Sequence, residues 1–281
     1  MVTSQPRQKT ALITGSTDGL GRAVARSLAA SGFQVLIHGR DRQRGEDLVR
    51  EITGRGGSAS FHRADFASLE EVRALAEAVR RGHDLHLLIN NAGIGTGDGP
   101  GRPALRRTSA DGHELRFAVN YLAGYLLTRL LLPMLVHGAP ARIVNVASVG
   151  QYPLDFDNLM LTRAYSGMRA YAQSKLAQVM LTFDLAAQLR GSGVIVNCLH
   201  PATYMNTTMV RDAGVEPAST VEEGAAAVMQ LAASPQIAGS TGEYFDGLLP
   251  ARANAQAYDP QARRRLAEVS ARLTGLVYPE S

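Results

Sequence analysis

The chain has 281 residues, 45% of them hydrophobic and 19% charged, which suits one large α/β domain or two small ones and excludes a disordered chain. Its single cysteine, Cys198, excludes an intramolecular disulfide, and the apolar setting VIVNCL makes a buried, inert thiol the expectation. The net charge of +4 is scattered apart from Arg263, Arg264 and Arg265, which precede helix-spaced Leu266, Val269 and Leu273; a solvated helix face is expected there, and no nucleic-acid partner.

The opening residues, MVTSQPRQKT, lack the apolar core of a signal peptide. The longest apolar candidate, YLLTRLLLPMLV, is interrupted by Arg129 and Pro133 and reads as a core helix, so no membrane span is expected. No metal-ligand cluster is visible, and the default location is cytoplasmic.

Strand and helix patterns alternate from there. TALIT (10–14) reads as a strand, and RAVARSLAASG (22–32) as a helix that Gly32 terminates. FQVLIHG (33–39) is a second strand, residues 41–57 a second helix, and SASFHRAD (58–65) a third strand. Ser68 and Glu71 open the next helix (68–82) with capping-box spacing. LHLLINNAG (85–93) has the leucine density of a strand buried on both faces. A long helix is expected over 114–136, a fifth strand over 141–148, a helix over 169–191 and a sixth strand over 194–201. TGEYFDG (241–247) suits an edge strand. Such alternation predicts a single Rossmann-like domain over 1–281, a doubly wound parallel sheet with helices on both faces. Segments 93–112, 149–168 and 202–220 are left as loops that approach a substrate, with 203–217 as a lid; 93–112 is read as a surface loop rather than a linker.

The first strand runs into TGSTDGLG (14–21), where Gly15, Gly19 and Gly21 stand at GxxxGxG spacing just before a helix. Such a turn lets backbone approach a pyrophosphate at a helix N-terminus, although packing alone also selects glycine-rich turns. The second strand ends in HGRDR, with Gly39 and then Arg40 where an acidic residue would hold a ribose 2′-hydroxyl. A guanidinium there would pair a 2′-phosphate and favours NADP(H), unless Asp41 takes the acidic role one place later.

AYSGMRAYAQSK (164–175) holds two phenol–cation pairs at i and i+4, Tyr165 with Arg169 and Tyr171 with Lys175. Spacing does not separate them. Gly167 interrupts the first pair and puts it in or near the loop before the helix, whereas Tyr171 opens an uninterrupted helical run. A cation beside Tyr171 would lower its pKa from about 10 toward a range useful for proton transfer. Tyr165 is left either walling an apolar substrate pocket or packing under a loop.

Together these residues resemble the short-chain dehydrogenase/reductase family, over almost the whole chain. TGSTDGLG matches its cofactor loop (Gly15, Ser16, Thr17, Asp18, Gly19, Leu20, Gly21), and Asp65 with neighbouring Phe66 its adenine contact. The NNAG signature places Asn91, Ala92 and Gly93 against the cofactor. Asn120, Ser148, Tyr171 and Lys175 match its catalytic set, and His200–Pro201 the position of its PG motif, with Thr203 following. The resemblance implies that Tyr171 is the general acid/base, that Ser148 holds the substrate oxygen and that Lys175 binds the nicotinamide ribose. It implies that Asn120 holds a water that completes a proton relay. Retinol dehydrogenase-like and protochlorophyllide reductase-like members are the most similar subgroup. The expected activity is NADP(H)-dependent interconversion of a carbonyl and an alcohol on a lipophilic small molecule, with a homo-oligomer possible. The alternatives are a catalytically silent NADP(H)-binding sensor, which often lacks the tyrosine or lysine kept here, and an epimerase or dehydratase, which usually carries TGxxGxxG. Ala202 replaces the glycine of the PG motif, and Asn206-Thr207-Thr208 leaves the register of a threonine contact open.

Overall fold

The computed structural model describes residues 8–82, 84–97 and 104–277. Residues 98–103 of the first expected substrate loop therefore lie outside the described residues. One eight-stranded sheet runs through the molecule in the order β3-β2-β1-β4-β5-β6-β7-β8. Its strands are β1 (Thr10–Ile13), β2 (Gln34–Gly39), β3 (Ser58–Arg63), β4 (Leu87–Asn90), β5 (Ala141–Val146), β6 (Val194–His200), β7 (Tyr244–Asp246) and β8 (Leu249–Ala251). The first seven are parallel, and β8 returns antiparallel to β7. The edge strand at this end is thus β8 rather than TGEYFDG, and its Pro250 suits an edge that donates few ladder bonds.

Helices cover both faces because side chains alternate across each strand. Ala11 and Ile13 of β1 enter one core with Leu20, Val24 and Leu28 of α1 (Gly19–Ala30), with Leu48 and Ile52 of α2 (Arg42–Gly54), and with Val228 and Leu231 further along the chain. Leu12 and Leu36 enter the opposite core with Val72 and Leu75 of α3 (Leu69–Gly82). Ser68 accepts from the Glu71 amide at 3.3 Å, as a cap should, but the Glu71 carboxylate accepts from the Asp65 amide at 2.8 Å. The box is therefore half made, and its acid fixes Asp65 instead.

The helix expected over 114–136 is three pieces: α4 (Leu115–Phe117), a π-helical turn at Ala118–Leu122, and α5 (Ala123–His137). A π-turn adds a residue to the helix and re-aims the side chains on it; here it carries Asn120. The run Leu115–His137 is long and apolar enough to cross a membrane by length and composition. In this fold Leu126, Leu127, Leu131 and Leu135 are core residues instead.

The next helix, α6 (Gly167–Gln188), starts two residues earlier than expected, because Ser166 caps it by accepting from the Arg169 amide. It is followed by the short α7 (Thr208–Asp212), by α8 (Val221–Ala233) and by α9 (Pro260–Thr274). A complete capping box, Thr220 with Glu223, starts α8. That helix supplies Val228 and Leu231 to the first core.

Candidate active site

The sheet order reverses between β1 and β4, so the chain leaves their carboxyl ends toward opposite faces and a crevice forms there, the usual ligand position in an open α/β sheet. The glycine loop lies there. Gly15 has φ of +63°, and a Cβ on it would stand 2.8 Å from the Ala92 Cα. Thr14 Oγ1 accepts from the amides of Asn91 and Ala92, both at 3.0 Å, and Asn91 Nδ2 donates to the Thr14 and Gly15 carbonyls at 2.9 Å. The loop and the NNAG segment are thus one bonded unit. Thr14 was not singled out in the sequence.

Three further residues complete the loop. Ser16 is fully buried and donates to the Ile13 carbonyl at 2.8 Å. Thr17 fills the space that Gly39 leaves open at the tip of β2. Asp18 caps α1 by accepting from the Gly19 amide at 2.8 Å; its other oxygen accepts from Thr208 at 2.7 Å and lies 3.4 Å from Arg44. Burial pushes the Asp18 carboxyl pKa up, but the Thr208 and Gly19 hydrogen bonds with the Arg44 and Arg211 charges outweigh it and the value is lowered. The first turn of α1 holds no acidic residue, so the positive end of its dipole is met by the Asp18 cap alone. These features fit a dinucleotide pyrophosphate.

Arg40 is exposed at the end of β2, and no carboxylate pairs with it among the described residues. Asp41 is committed elsewhere: it caps α2 through the Arg44 amide at 3.1 Å and lies 3.4 Å from the Arg44 guanidinium. Asp65 is half-buried and accepts from the Ala67 amide at 3.0 Å. Phe66 is buried, its ring stacked on His38 at 4.3 Å, so its side chain supports the floor rather than facing the crevice.

His38 is the loop's hidden support. Its Nδ1 accepts from the Gly15 amide at 3.2 Å, and Nε2–H donates to the Ala64 carbonyl at 3.1 Å, so the ring is neutral. Burial pushes its pKa down from 6.5 to about 4, against a smaller raising effect of the Ala64 bond. Unfolded chain therefore takes up a proton below pH 6.5 that the folded chain refuses until about 4. Stability is expected to fall as pH drops through that window, by ~1.4 kcal/mol per unit and up to ~3 kcal/mol. Urea unfolding of wild type and His38→Gln from pH 7.5 downward checks it; equal pH slopes for the two would refute this role.

The catalytic candidates meet at the carboxyl ends of β4 and β5. Lys175 is one turn beyond Tyr171 on α6, and its Nζ lies 5.7 Å from the centre of the Tyr171 ring. Lys175 is 5% exposed, and its ammonium donates to the Val146 carbonyl at 2.8 Å and to Gln178 Oε1 at 3.0 Å. Burial alone drives its pKa down to about 7. Ser148 follows β5, and its hydroxyl accepts from the Gly150 amide at 3.0 Å. Burial raises the Tyr171 pKa, and the neighbouring Ser148 hydroxyl lowers it by less. The expectation that Lys175 depresses the phenol is therefore corrected: with the ammonium turned to Val146 and Gln178, desolvation wins.

Asn120 Oδ1 accepts from the Ile94 amide at 2.8 Å, and Nδ2 donates to the Ile94 carbonyl at 3.2 Å and to Ser174 Oγ at 3.0 Å. Ser174 in turn donates to the Tyr171 carbonyl at 2.7 Å. Both ends of the asparagine amide thus brace the segment after β4 against α6.

Beyond β6, Pro201 is buried and Ala202 lies outside the left-handed region, so the missing glycine costs no strain. The strained residue is Tyr204, with φ of +45°. Thr203 shares a 3.0 Å hydrogen bond with His200. In the open Asn-Thr-Thr register, Thr207 caps α7 and its methyl abuts Gly19, while Thr208 bonds Asp18. The first phenol–cation pair does not form, because Arg169 pairs with Asp155 at 3.0 Å and Tyr165 turns to Glu114 and Arg116.

A glycine loop at the switch point and a tyrosine–lysine turn beside it define a dinucleotide-dependent oxidoreductase. Residues 9–217 match the family model of the short chain dehydrogenases. The chain is 35% identical to human retinol dehydrogenase 13 over 294 residues, covering 96% of this chain and 86% of that protein. It is 36% identical to mouse polyprenol dehydrogenase, covering 95% and 84%. Among solved structures, a short chain dehydrogenase/reductase family protein superposes with a TM-score of 0.66 at 32% identity, over 85% of this chain and 96% of that one. A putative NAD(P) dependent gluconate 5-dehydrogenase from Beutenbergia cavernae, with bound NADP, gives 0.65 at 30% identity, over 85% and 94%. This chain belongs to the short-chain dehydrogenase/reductase family and is retinol dehydrogenase-like.

Proposed function

We propose that the chain reduces a carbonyl to an alcohol, and reverses that reaction, on a lipophilic small molecule with NADP(H) as its cofactor. The observation that carries this reading is the convergence of Ser148, Tyr171 and Lys175 beside the glycine loop. When bound, the nicotinamide supplies or accepts the hydride. Tyr171 gives its phenolic proton to the carbonyl oxygen, or takes it back in alcohol oxidation. Burial keeps the phenol in its protonated form, the form that donates. Ser148 holds the same oxygen and stabilises its developing charge. Lys175 has an ammonium proton left beyond its two acceptors and would hold the ribose. Asn120 holds the Gly93–Ile94 backbone over this group.

A lipophilic substrate is supported by the side chains around the opening. Val149 and Tyr152 follow Ser148, Met168 precedes Tyr171 by three residues, and Tyr204 and Met209 lie on the lid; all five are exposed. The relatives are dehydrogenases of retinol and polyprenol, so the test panel begins with retinal and a polyprenal and ends with short ketones. Absence of NADPH consumption across that panel would sink this reading.

For the cofactor, the support is Arg40, unpaired beside a committed Asp41. Arg40→Ala is expected to weaken NADPH binding about 10- to 100-fold, the size of a lost charge-assisted contact, and to leave NADH binding nearly unchanged. Titration of both cofactors by fluorescence checks it. An equal loss for both, or a wild-type preference for NADH, would remove the NADP assignment.

A further inference from the structure

The fold buries a second set of charged side chains that hydride transfer does not use. Glu114 and Arg116 are 1% and 2% exposed, and their charged atoms stand 3.9 Å apart. The Tyr165 hydroxyl joins them, donating to Glu114 Oε1 at 2.9 Å and accepting from Arg116 Nη1 at 2.8 Å. The second Glu114 oxygen accepts from the Phe117 amide at 2.7 Å and so caps α4. Burial, then the Glu114 charge, pushes the Tyr165 pKa up to about 12, so this phenol is a fixed hydrogen-bond bridge through the neutral range.

Two guanidinium nitrogens also reach backbone. Arg116 Nε donates to the Gly95 carbonyl at 2.7 Å, and Nη2 to the Gly97 carbonyl at 3.3 Å. Residues 93, 95 and 97 are all glycine, so this strip has few side chains of its own to hold it. What places it is Asn120 on Ile94 and Arg116 on Gly95 and Gly97, both from the same helical run. The strip in turn faces the chemistry. A Cβ on Gly93 would come 3.7 Å from Lys175 Nζ, and one on Gly95 would come 3.0 Å from Met209 Cγ on the lid helix. A Cβ on Gly167, at the start of the helix that carries Tyr171, would overlap the Thr96 carbonyl oxygen.

We propose that Arg116 and Tyr165 are positioning residues of the hydride-transfer site. Arg116 fixes the 93–97 strip through two carbonyls, and Tyr165 holds Arg116 against Glu114. The strip then keeps a set distance between Lys175 on one side and the Met209 lid on the other, and that distance sets the height of the substrate pocket. Tyr165 serves the pocket from behind its wall rather than as the wall.

The inference rests on the hydride-transfer reading, and two variants test it separately from that reading. Tyr165→Phe removes the bridge and keeps the ring. Arg116→Lys keeps a charge near Glu114 but cannot fork onto two carbonyls. In both, amide hydrogen exchange at 93–97 and 203–217 is expected to speed up by about tenfold, the scale of a lost hydrogen bond to a charged group, with β2 and β3 unchanged. The carbonyl KM is expected to rise by about tenfold while kcat and NADPH affinity change less than about threefold. Unchanged exchange in the strip of both variants overturns the inference. So does a loss shared equally by the strip, the distant strands and NADPH affinity, which would mark general loosening. The exchange readout needs no turnover, so a wild-type chain inactive on every carbonyl would sink the hydride-transfer reading and still leave the strip to be judged.

Discussion

Tyr171→Phe is expected to lower kcat for carbonyl reduction by about three to four orders of magnitude while NADPH binding changes by less than about threefold. The substitution removes one hydroxyl and leaves the ring packed on α6, so the loss reads proton transfer rather than folding. General acid catalysis by a positioned side chain is worth roughly 10²- to 10⁴-fold, and the upper end applies where the pocket is buried and water is a poor substitute. Tyr171 is half-buried and burial dominates its pKa, so the upper end is expected here. Ser148→Ala should cost about 10²-fold, the size of one lost oxyanion donor. Single-turnover reduction with prebound NADPH measures both without interference from product release. A Tyr171→Phe enzyme within tenfold of wild type would remove this residue from the mechanism. The contrast with Tyr165→Phe is direct: one tyrosine should register in kcat and the other in KM, although only six residues separate them.

That contrast also marks what a sequence can carry. The strand–helix alternation was legible because period-2 and period-3.6 patterns are local, and β1 to β6 all stand where those patterns put them. The glycine loop and the Tyr171–Lys175 turn were legible for the same reason. The two phenol–cation pairs were not separable by spacing, because their partners are remote. Arg169 finds Asp155 across a loop, and Tyr165 finds Glu114 and Arg116 about fifty residues earlier. The π-turn at Asn120 has no periodic signature in AVNYL, so one long helix was the natural reading. α8 was missed because its alanine-rich face gives little contrast, although Thr220 and Glu223 at capping-box spacing marked its start. His38 carried a signal too: a lone imidazole in the apolar strand QVLIHG must find two partners once buried, and both belong to the cofactor loop and its floor.

The glycines of TGSTDGLG should not be equivalent, and substituting them one at a time separates packing from backbone conformation. A Cβ on Gly21 would overlap the Gly15 carbonyl oxygen and stand 2.6 Å from Asn91 Nδ2 and 2.9 Å from the Ser16 Cα. Those atoms belong to the bonded unit of loop and NNAG segment, which has no slack: Asn91 Nδ2 is already committed to the Thr14 and Gly15 carbonyls. Gly21→Ala must therefore push the start of α1 away from the strand ends and open the pyrophosphate site. NADPH affinity is expected to fall by about 100-fold or more, and stability by about 1–3 kcal/mol, the usual cost of overpacking. Gly19 differs. Its φ is +49°, but its nearest neighbour would be the Thr207 methyl at 3.2 Å, a side-chain end rather than backbone. Gly19→Ala then carries a conformational cost of about 1–2 kcal/mol and a small shift of α7. Its cofactor affinity should fall by no more than about tenfold. Isothermal titration with NADPH, paired with thermal unfolding, reads both terms. If Gly19→Ala proved the more damaging for NADPH, the loop's tolerance would be set by backbone conformation rather than by its contact with Asn91, and the close packing at Gly21 would not be what shapes the site.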